Sequence, residues 1–63
     1  MKSFYKALLI KGKSVQWLAD KLGVSHQAVQ HWKSGKTKPR PKNLVKMAKI
    51  LELDIEKLVK EYY

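Results

Sequence analysis

The sequence predicts an all-α fold, a compact arrangement of four or five short helices. Three observations support it. Apolar residues recur at helical spacing, serine and glycine frame three consecutive segments, and two prolines separate these segments from the rest of the chain. The 63 residues, 1–63, are enough for one domain with a modest core. A deep pocket with a catalytic apparatus is not expected in so small a chain.

Serine and glycine mark the ends of the first three predicted helices. A serine side chain can accept a hydrogen bond from an N–H of the first turn, and a glycine can take the left-handed conformation in which helices commonly end. Three repeats of this pattern are a stronger signal than any single cap. The predicted units are Ser3, a helix over 4–11 and Gly12; Ser14, a helix over 15–22 and Gly23; and Ser25, a helix over 26–34 and Gly35.

The proline-containing stretch "KTKPRPKN", 36–43, interrupts the helical pattern. The residue before each proline is biased away from helix, so this stretch predicts a loop. Pro41 suits the first turn of a fourth helix, because proline lacks an N–H that the first turn would leave without a partner. We expect this helix to end near Leu51.

A fifth helix is predicted over 55–62. Asp54 can cap it, and Glu56 is favourable near its positive end. The alternating segment "LELDIE", 51–56, is also compatible with a strand. No hairpin turn follows that would supply a partner strand, so we favour a turn between two helices.

Apolar positions spaced by three and four residues predict the core. The second, fourth and fifth helices each carry one such stripe. Val24 and Val29 are expected to fill the corner between the second and third helices. The predicted core residues are Phe4, Tyr5, Leu8, Leu9, Val15, Leu18, Ala19, Leu22, Val24, Val29, Trp32, Leu44, Met47, Ala48, Leu51, Ile55, Leu58, Val59 and Tyr62.

Charge is the strongest global feature of the sequence. Lysine and arginine number 14 against five aspartates and glutamates, which gives a formal net charge of +9. From Lys21 to Lys49 there are eight basic residues and no acidic one, and four of the five acids follow position 51. This separation favours a surface that binds a polyanion over a uniformly solvated basic surface or a surface for anionic membranes.

Several classes of site are not expected. There is no cysteine for a disulfide or a thiolate metal site, and the two histidines, His26 and His31, would point about 140° apart on a helix. We therefore predict no metal and no cofactor. No apolar run approaches the roughly 20 residues of a membrane span, and the first residues lack the features of a signal peptide. We expect a soluble protein of the cytoplasm.

The segment "VQWLADKLGVSHQAVQHWKSGKTKP", 15–39, resembles the helix-turn-helix of the lambda repressor-like family, which includes phage Cro proteins, phage repressors and bacterial relatives. Its most specific part is "LADKLGVS", and the similarity covers about residues 3–60. The resemblance implies four or five helices around one core, with the helix-turn-helix at about 15–34. A further match downstream consists of Leu44, Met47, Ala48, Leu51 and Leu53.

The same resemblance implies a function and the residues that serve it. It implies sequence-specific binding of double-stranded DNA by a transcriptional regulator, most simply a Cro-like repressor in a bacterial or phage-infected cell. In the family the third helix lies in the major groove and reads base edges. Gln27 can pair with adenine, Ala28 can meet a thymine methyl, and a histidine can donate to guanine or to a phosphate. The implied base-reading residues are His26, Gln27, Ala28, Gln30 and His31.

Other residues are implied as phosphate contacts, which position the domain without reading sequence. The family's glutamine at the start of the second helix is Val15 here, and Gln16 lies one position on. The family's glutamate after the tryptophan is Lys33 here, which adds positive charge near the binding face. The predicted phosphate contacts are Ser14, Gln16, Ser25, Lys33, Lys36, Lys38, Arg40, Lys42 and Asn43.

Domains of this family often dimerise through their last helix, which implies a weak homodimer on a two-fold symmetric operator. Leu58, Tyr62 and Tyr63 are apolar or aromatic enough to form such a contact, although a core position explains Leu58 equally well. Trp17 lies outside the apolar stripe of its helix. It either packs against a neighbouring helix or stays exposed near DNA or a partner.

Two alternatives belong to other functional classes. A protein-interaction or antitoxin-like adaptor would use the same helices to bind a protein, and a third possibility is RNA or nonspecific nucleic-acid binding. A protein-binding helix would be expected to present apolar anchors, whereas the third helix presents hydrogen-bonding side chains among lysines. This difference favours DNA. No carboxylate pair, phosphate loop or nucleophile constellation indicates an enzyme.

Overall fold

The computed structural model describes residues 1–63, which form five helices and no strand: α1 (Ser3–Lys11), α2 (Val15–Leu22), α3 (His26–Ser34), α4 (Pro41–Leu51) and α5 (Ile55–Tyr62). The all-α prediction is confirmed, and α2 and α3 form the predicted helix-turn-helix. The favoured interpretation of 51–56 as a turn between two helices is also confirmed. None of the helices combines the length and apolar character that a membrane span requires.

The serine caps of α2 and α3 are confirmed. The Ser14 hydroxyl oxygen accepts a hydrogen bond from the backbone N–H of Trp17 at 3.0 Å, and that of Ser25 accepts one from Ala28 at 3.1 Å. In α5 the Asp54 carboxylate accepts from the N–H of Glu56 at 2.9 Å, as predicted. Each cap satisfies one N–H that the first helical turn leaves without a backbone partner.

The predicted cap of α1 is wrong. The helix begins at Ser3 itself, Lys2 occupies the capping position, and no side chain caps the helix from there. Ser3 instead donates its hydroxyl proton to the carboxylate of Glu61 at 2.8 Å, and its backbone N–H donates to the same carboxylate at 3.2 Å. The N–H of Ser3, in the first turn of α1, is therefore satisfied by a charged acceptor from α5 and not by a local serine cap.

The turn between α2 and α3 depends on Gly23, which adopts a left-handed conformation with φ 71°. The N–H of Val24 then donates to the carbonyl of Ala19 at 3.0 Å, which closes the end of α2. A Cβ added at Gly23 would meet no atom within 4 Å, so the backbone conformation and not crowding requires glycine here.

The core lies between all five helices. Helix α4 packs against α1, α2 and α5, whereas α3 packs chiefly against α2. Most of the predicted core positions are confirmed, and Ala7 joins them. The buried apolar residues are Phe4, Ala7, Leu8, Val15, Leu18, Ala19, Leu22, Val29, Trp32, Leu44, Met47, Ala48, Leu51 and Leu58.

Some predicted core positions lie at the surface. Leu9 is 55% exposed, because Phe4, Ala7 and Leu8 already form the face of α1 that packs inward. Ile55 and Val59 are also exposed, since α5 packs mainly against α4 and buries only Leu58 fully. The remaining corrections are Tyr5, Val24 and Tyr62, which are partly buried and pack against the edge of the core.

Candidate nucleic-acid interface

Helix α3 has an apolar side and a polar side. Val29 is fully buried and Trp32 nearly so, which fixes the helix against the core. His26, Gln27 and Gln30 are exposed on the opposite side, as the sequence predicted. The other two implied base-reading residues, Ala28 and His31, are partly buried at the edge of that face.

His26 and Gln30 are joined one helical turn apart. The Nε2 atoms of the two side chains are 3.2 Å from each other. In this arrangement the Gln30 amide nitrogen donates and the His26 Nε2 atom accepts, which corresponds to the tautomer with its proton on Nδ1. Both residues are exposed, so the pair remains accessible to a ligand. Gln27 has no such side-chain partner, so its amide group remains available for a ligand.

The N-termini of α2 and α3 are positively polarised and contain no acidic residue in the first turn. At each end the capping hydroxyl of Ser14 or Ser25 accepts a backbone N–H through its oxygen. The hydroxyl proton is left free to donate. A phosphate oxygen placed there would meet a donor side chain and a partial positive charge together.

The departure from the family pattern at the start of α2 has a structural explanation. Val15 is buried and belongs to the core, so the family's glutamine position does not face solvent in this chain. Gln16 is exposed, and its amide nitrogen donates to the carboxylate of Asp20 at 3.0 Å. A phosphate contact by Gln16 would compete with this bond.

The basic residues predicted as phosphate contacts differ in their surroundings. Two ammonium groups lie over aromatic rings: Lys33 Nζ is 4.0 Å from the ring centroid of Tyr5, and Lys38 Nζ is 4.3 Å from that of Tyr63. The chain has one ion pair, Lys11 with Glu52, which lies outside the predicted site. The basic residues of the site therefore have no carboxylate partner. The exposed ones are Lys36, Lys38, Arg40 and Lys42.

Asn43 differs from the other predicted phosphate contacts, because only 7% of its surface is exposed. It lies in the first turn of α4 and has little area left for a ligand. The amide type suggested a surface donor, but position 43 points toward the core one residue before the fully buried Leu44.

Trp17 is partly buried and packs against the core, as one of the two interpretations proposed. Its ring lies between two ammonium groups, Lys13 Nζ at 5.3 Å and Lys21 Nζ at 5.7 Å from the centroid. These two contacts were not predicted from the sequence. The spacing of four residues between Trp17 and Lys21 within α2 could have indicated the second contact.

The three residues considered for a dimer contact do not form one exposed patch. Leu58 is fully buried within the core of its own chain. The Tyr62 hydroxyl donates to the carbonyl of Trp32 at 2.9 Å, and the Tyr63 hydroxyl donates to the carbonyl of Pro39 at 2.7 Å. The two tyrosines thus contact α3 and the loop between α3 and α4.

Two helices joined by a glycine turn, with an exposed polar face on the second and basic loops beside it, define a helix-turn-helix domain of the nucleic-acid-binding class. The sequence model of the helix-turn-helix family matches residues 5–58 of the 63 residues. The chain therefore belongs to this family, whose lambda repressor-like members bind double-stranded DNA and regulate transcription. No curated protein and no solved structure matches the chain significantly.

Proposed function

We propose that the chain is a sequence-specific transcriptional regulator that places α3 in the major groove of an operator, most simply as a Cro-like repressor. The observation that carries this proposal is the exposed face of α3. It presents neutral side chains that donate and accept hydrogen bonds, inside a segment without acidic residues from position 21 to position 51. Neutral amides and imidazoles suit base edges, and the flanking cations suit phosphates.

The base-reading role falls mainly on Gln27. Its amide is exposed and has no partner within the chain, so it can form two hydrogen bonds with the N6 and N7 atoms of an adenine. Ala28, at the edge of the face, can contact a thymine methyl. His26 and Gln30 would act as a joined pair, and His31 would reach the same groove from one turn further on.

Phosphate binding would surround this face. Ser14 and Ser25 offer hydroxyl protons at two helix N-termini, and Lys36, Arg40 and Lys42 offer charges without carboxylate partners. Such contacts fix the orientation of α3 on the duplex and supply much of the affinity. Bound to an operator that overlaps a promoter, the domain would repress transcription by occluding the polymerase.

We further propose that residues 1–63 act as one unit, in the cytoplasm of a bacterial or phage-infected cell, and pair weakly on a two-fold symmetric operator. The dimer contact would then use apolar surface other than Leu58. Ile55 and Val59 are exposed apolar side chains of α5. Two copies that each place α3 in successive major grooves would require half-sites about 34–36 Å apart.

The test is selection of bound sequences from a random duplex pool, followed by binding measurements on the selected duplex. We expect an enriched motif with two-fold symmetry. For a dimer with about 6–10 phosphate contacts, we also expect a loss of roughly a thousandfold or more in affinity between 50 and 200 mM salt.

Other outcomes of this selection would contradict the proposal in distinct ways. Salt-dependent binding without an enriched motif would indicate a nonspecific nucleic-acid protein. Absence of binding to any duplex would instead favour the protein-interaction or antitoxin-like adaptor. An enriched motif without symmetry would contradict the dimer but not the recognition helix.

A further inference from the structure

Residues near the two ends of the sequence meet next to the last turn of α3. Lys2 contacts Glu61 and Tyr62, and Ser3 contacts Glu61. Together with Tyr63, the next residue of the chain, we refer to these five residues as the tyrosine clasp. All five lie outside the segment that matches the family, which covers residues 5–58. The clasp is therefore a feature of this chain that the family match does not account for.

The clasp is held together by charge and hydrogen bonds. The Glu61 carboxylate accepts from the hydroxyl and the backbone N–H of Ser3, and the Lys2 ammonium donates to the Glu61 carbonyl at 3.2 Å. The same ammonium lies 4.6 Å from the ring centroid of Tyr62. These contacts fix the last turn of α5, so the two tyrosine side chains project from an anchored backbone.

The two tyrosine hydroxyls attach this anchored turn to the proposed interface. Tyr62 donates to the carbonyl of Trp32 in the last turn of α3, a carbonyl that also accepts from the N–H of Gly35 at 3.3 Å. Helix α3 otherwise packs chiefly against α2 and, through Val29 and Trp32, against the core, so this bond adds a polar attachment near its C-terminal end. The hydrogen bond restrains the orientation of α3 relative to the rest of the domain.

Tyr63 acts on the loop between α3 and α4. Its hydroxyl donates to the carbonyl of Pro39 at 2.7 Å, and the Lys38 ammonium lies over its ring. The Pro39 side chain is itself fully buried. The loop is therefore fixed at Pro39 both by packing of the side chain and by the hydrogen bond to its carbonyl. Lys36, Lys38 and Arg40, three of the proposed phosphate contacts, lie within three residues of it.

We propose that Tyr62 and Tyr63 are positioning residues for DNA binding: Tyr62 sets the orientation of α3, and Tyr63 sets the path of the phosphate-binding loop. This inference rests on the proposed function and deepens it. Neither hydroxyl is required to touch DNA. Each holds a backbone carbonyl next to residues that do, which reduces the ordering that binding would otherwise require.

The test compares Tyr62→Phe and Tyr63→Phe with the matched control Tyr5→Phe. Tyr5 also lies under a lysine ammonium, at 4.0 Å, but no hydrogen bond of its hydroxyl accompanies that contact. For Tyr63→Phe we expect roughly 3- to 10-fold weaker binding to selected and random duplexes alike. The slope of log Kd against log salt should fall by up to about one phosphate contact.

For Tyr62→Phe we expect a loss of roughly 3- to 10-fold on the selected duplex and a smaller loss on the random one, because the orientation of α3 affects base contacts first. Tyr5→Phe should change neither affinity by more than about twofold. A purely structural role would reduce the folded fraction, but it would change neither the slope of log Kd against log salt nor the discrimination between selected and random duplexes. Unchanged slope and discrimination in both variants would therefore overturn the proposal.

Hydrogen exchange measured by NMR tests the clasp without DNA. The backbone N–H groups of Lys36 and Thr37 donate to the carbonyl of His31 at 2.9 and 3.4 Å, and they report the order of the loop. We expect faster exchange at these amides in the Tyr62 and Tyr63 variants than in Tyr5→Phe. If exchange is unchanged, the clasp does not hold the loop. If wild-type protein binds no duplex while exchange responds as expected, the proposed function is contradicted, but the role of the clasp in ordering the loop is supported.

Discussion

Helices α3 and α5 are both capped by a side chain at their N-terminus, but the two caps differ in charge. Helix α3 is capped by Ser25 and has no acid in its first turn, whereas α5 is capped by Asp54 and has Glu56 in its first turn. Aspartate caps a helix as well as serine does, and its charge adds a favourable interaction with the helix dipole. Helix stability alone therefore does not explain the serine. The positive end of α3 is thus left uncompensated, which is what the proposed phosphate contact at Ser25 requires.

The largest expected effect comes from exchanging these caps. Ser25→Asp keeps a capping oxygen, so we expect the free energy of unfolding to be unchanged or slightly higher. The new carboxylate would lie where a phosphate is proposed to bind, and like charges at an interface cost several kcal/mol. We expect the affinity for the selected duplex to fall on the order of a hundredfold or more, measured by fluorescence anisotropy.

The reciprocal change is the control for this prediction. Asp54→Ser retains a capping group on α5 and should lower stability by at most about 1 kcal/mol, with DNA affinity within about twofold of wild type. Equal losses of affinity in both variants would show that the position of the acid does not matter.

Gln27→Ala is expected to have the next largest effect. Removal of an amide that contacts a base should reduce discrimination between selected and random duplexes by about 1–3 kcal/mol. Gln16→Ala makes the same chemical change on α2, where the amide is bonded to Asp20, and should leave discrimination intact. A loss of equal size on both duplexes for Gln27→Ala would make it a phosphate contact.

Asp20→Asn should strengthen binding. Asp20 is the one acidic residue before position 52, and its carboxylate accepts from Gln16. Asparagine can still accept this hydrogen bond, so the substitution removes charge with little change in geometry. We expect about 2- to 5-fold tighter binding at low salt, equal on both duplexes and reduced as salt is raised. Glu56→Gln, the same charge change on α5, should give a smaller gain, and an equal gain would contradict a local effect.

Local signals in the sequence were sufficient for most of the fold. The caps at Ser14, Ser25 and Asp54 involve residues two or three positions away, so their pattern is visible in the sequence. The cap expected at Ser3 failed because the helix begins at Ser3 itself, and the Ser3 hydroxyl and N–H instead donate to Glu61, 58 residues away. A contact of this kind depends on where α5 ends relative to α1, which no local pattern specifies.

In the candidate site, too, local patterns predict some features and long-range contacts determine others. The polar face of α3 follows from helical period, since burial of Val29 and Trp32 places Gln27 and Gln30 outside. The contact of the Lys33 ammonium with the Tyr5 ring could not be predicted, because it depends on α1 lying beside the end of α3. The burial of Asn43 likewise depends on which side of α4 the core occupies.

The smallest predicted effect concerns the alkaline limit of stability. Burial, and then the neighbouring charge of Glu61, raise the pKa of the Tyr62 hydroxyl well above its ordinary value near 10. The folded protein therefore keeps this proton at a pH where the unfolded chain releases it. The stabilising contribution of Tyr62 is fully present below about pH 10 and is lost progressively as the pH rises through the range between the two pKa values.

Tyr62→Phe makes this contribution measurable by urea unfolding. Between pH 7 and 9 we expect the variant to be less stable than wild type by about 0.5–1.5 kcal/mol, because it lacks the hydrogen bond to Trp32. Above pH 10 the difference should narrow, since only wild type carries the ionisable hydroxyl, while the titrating lysines are common to both proteins. A difference that stays constant up to pH 11.5 would mean that the folded chain does not hold this proton. The hydroxyl would then not be the fixed donor on which the attachment of α5 to α3 depends.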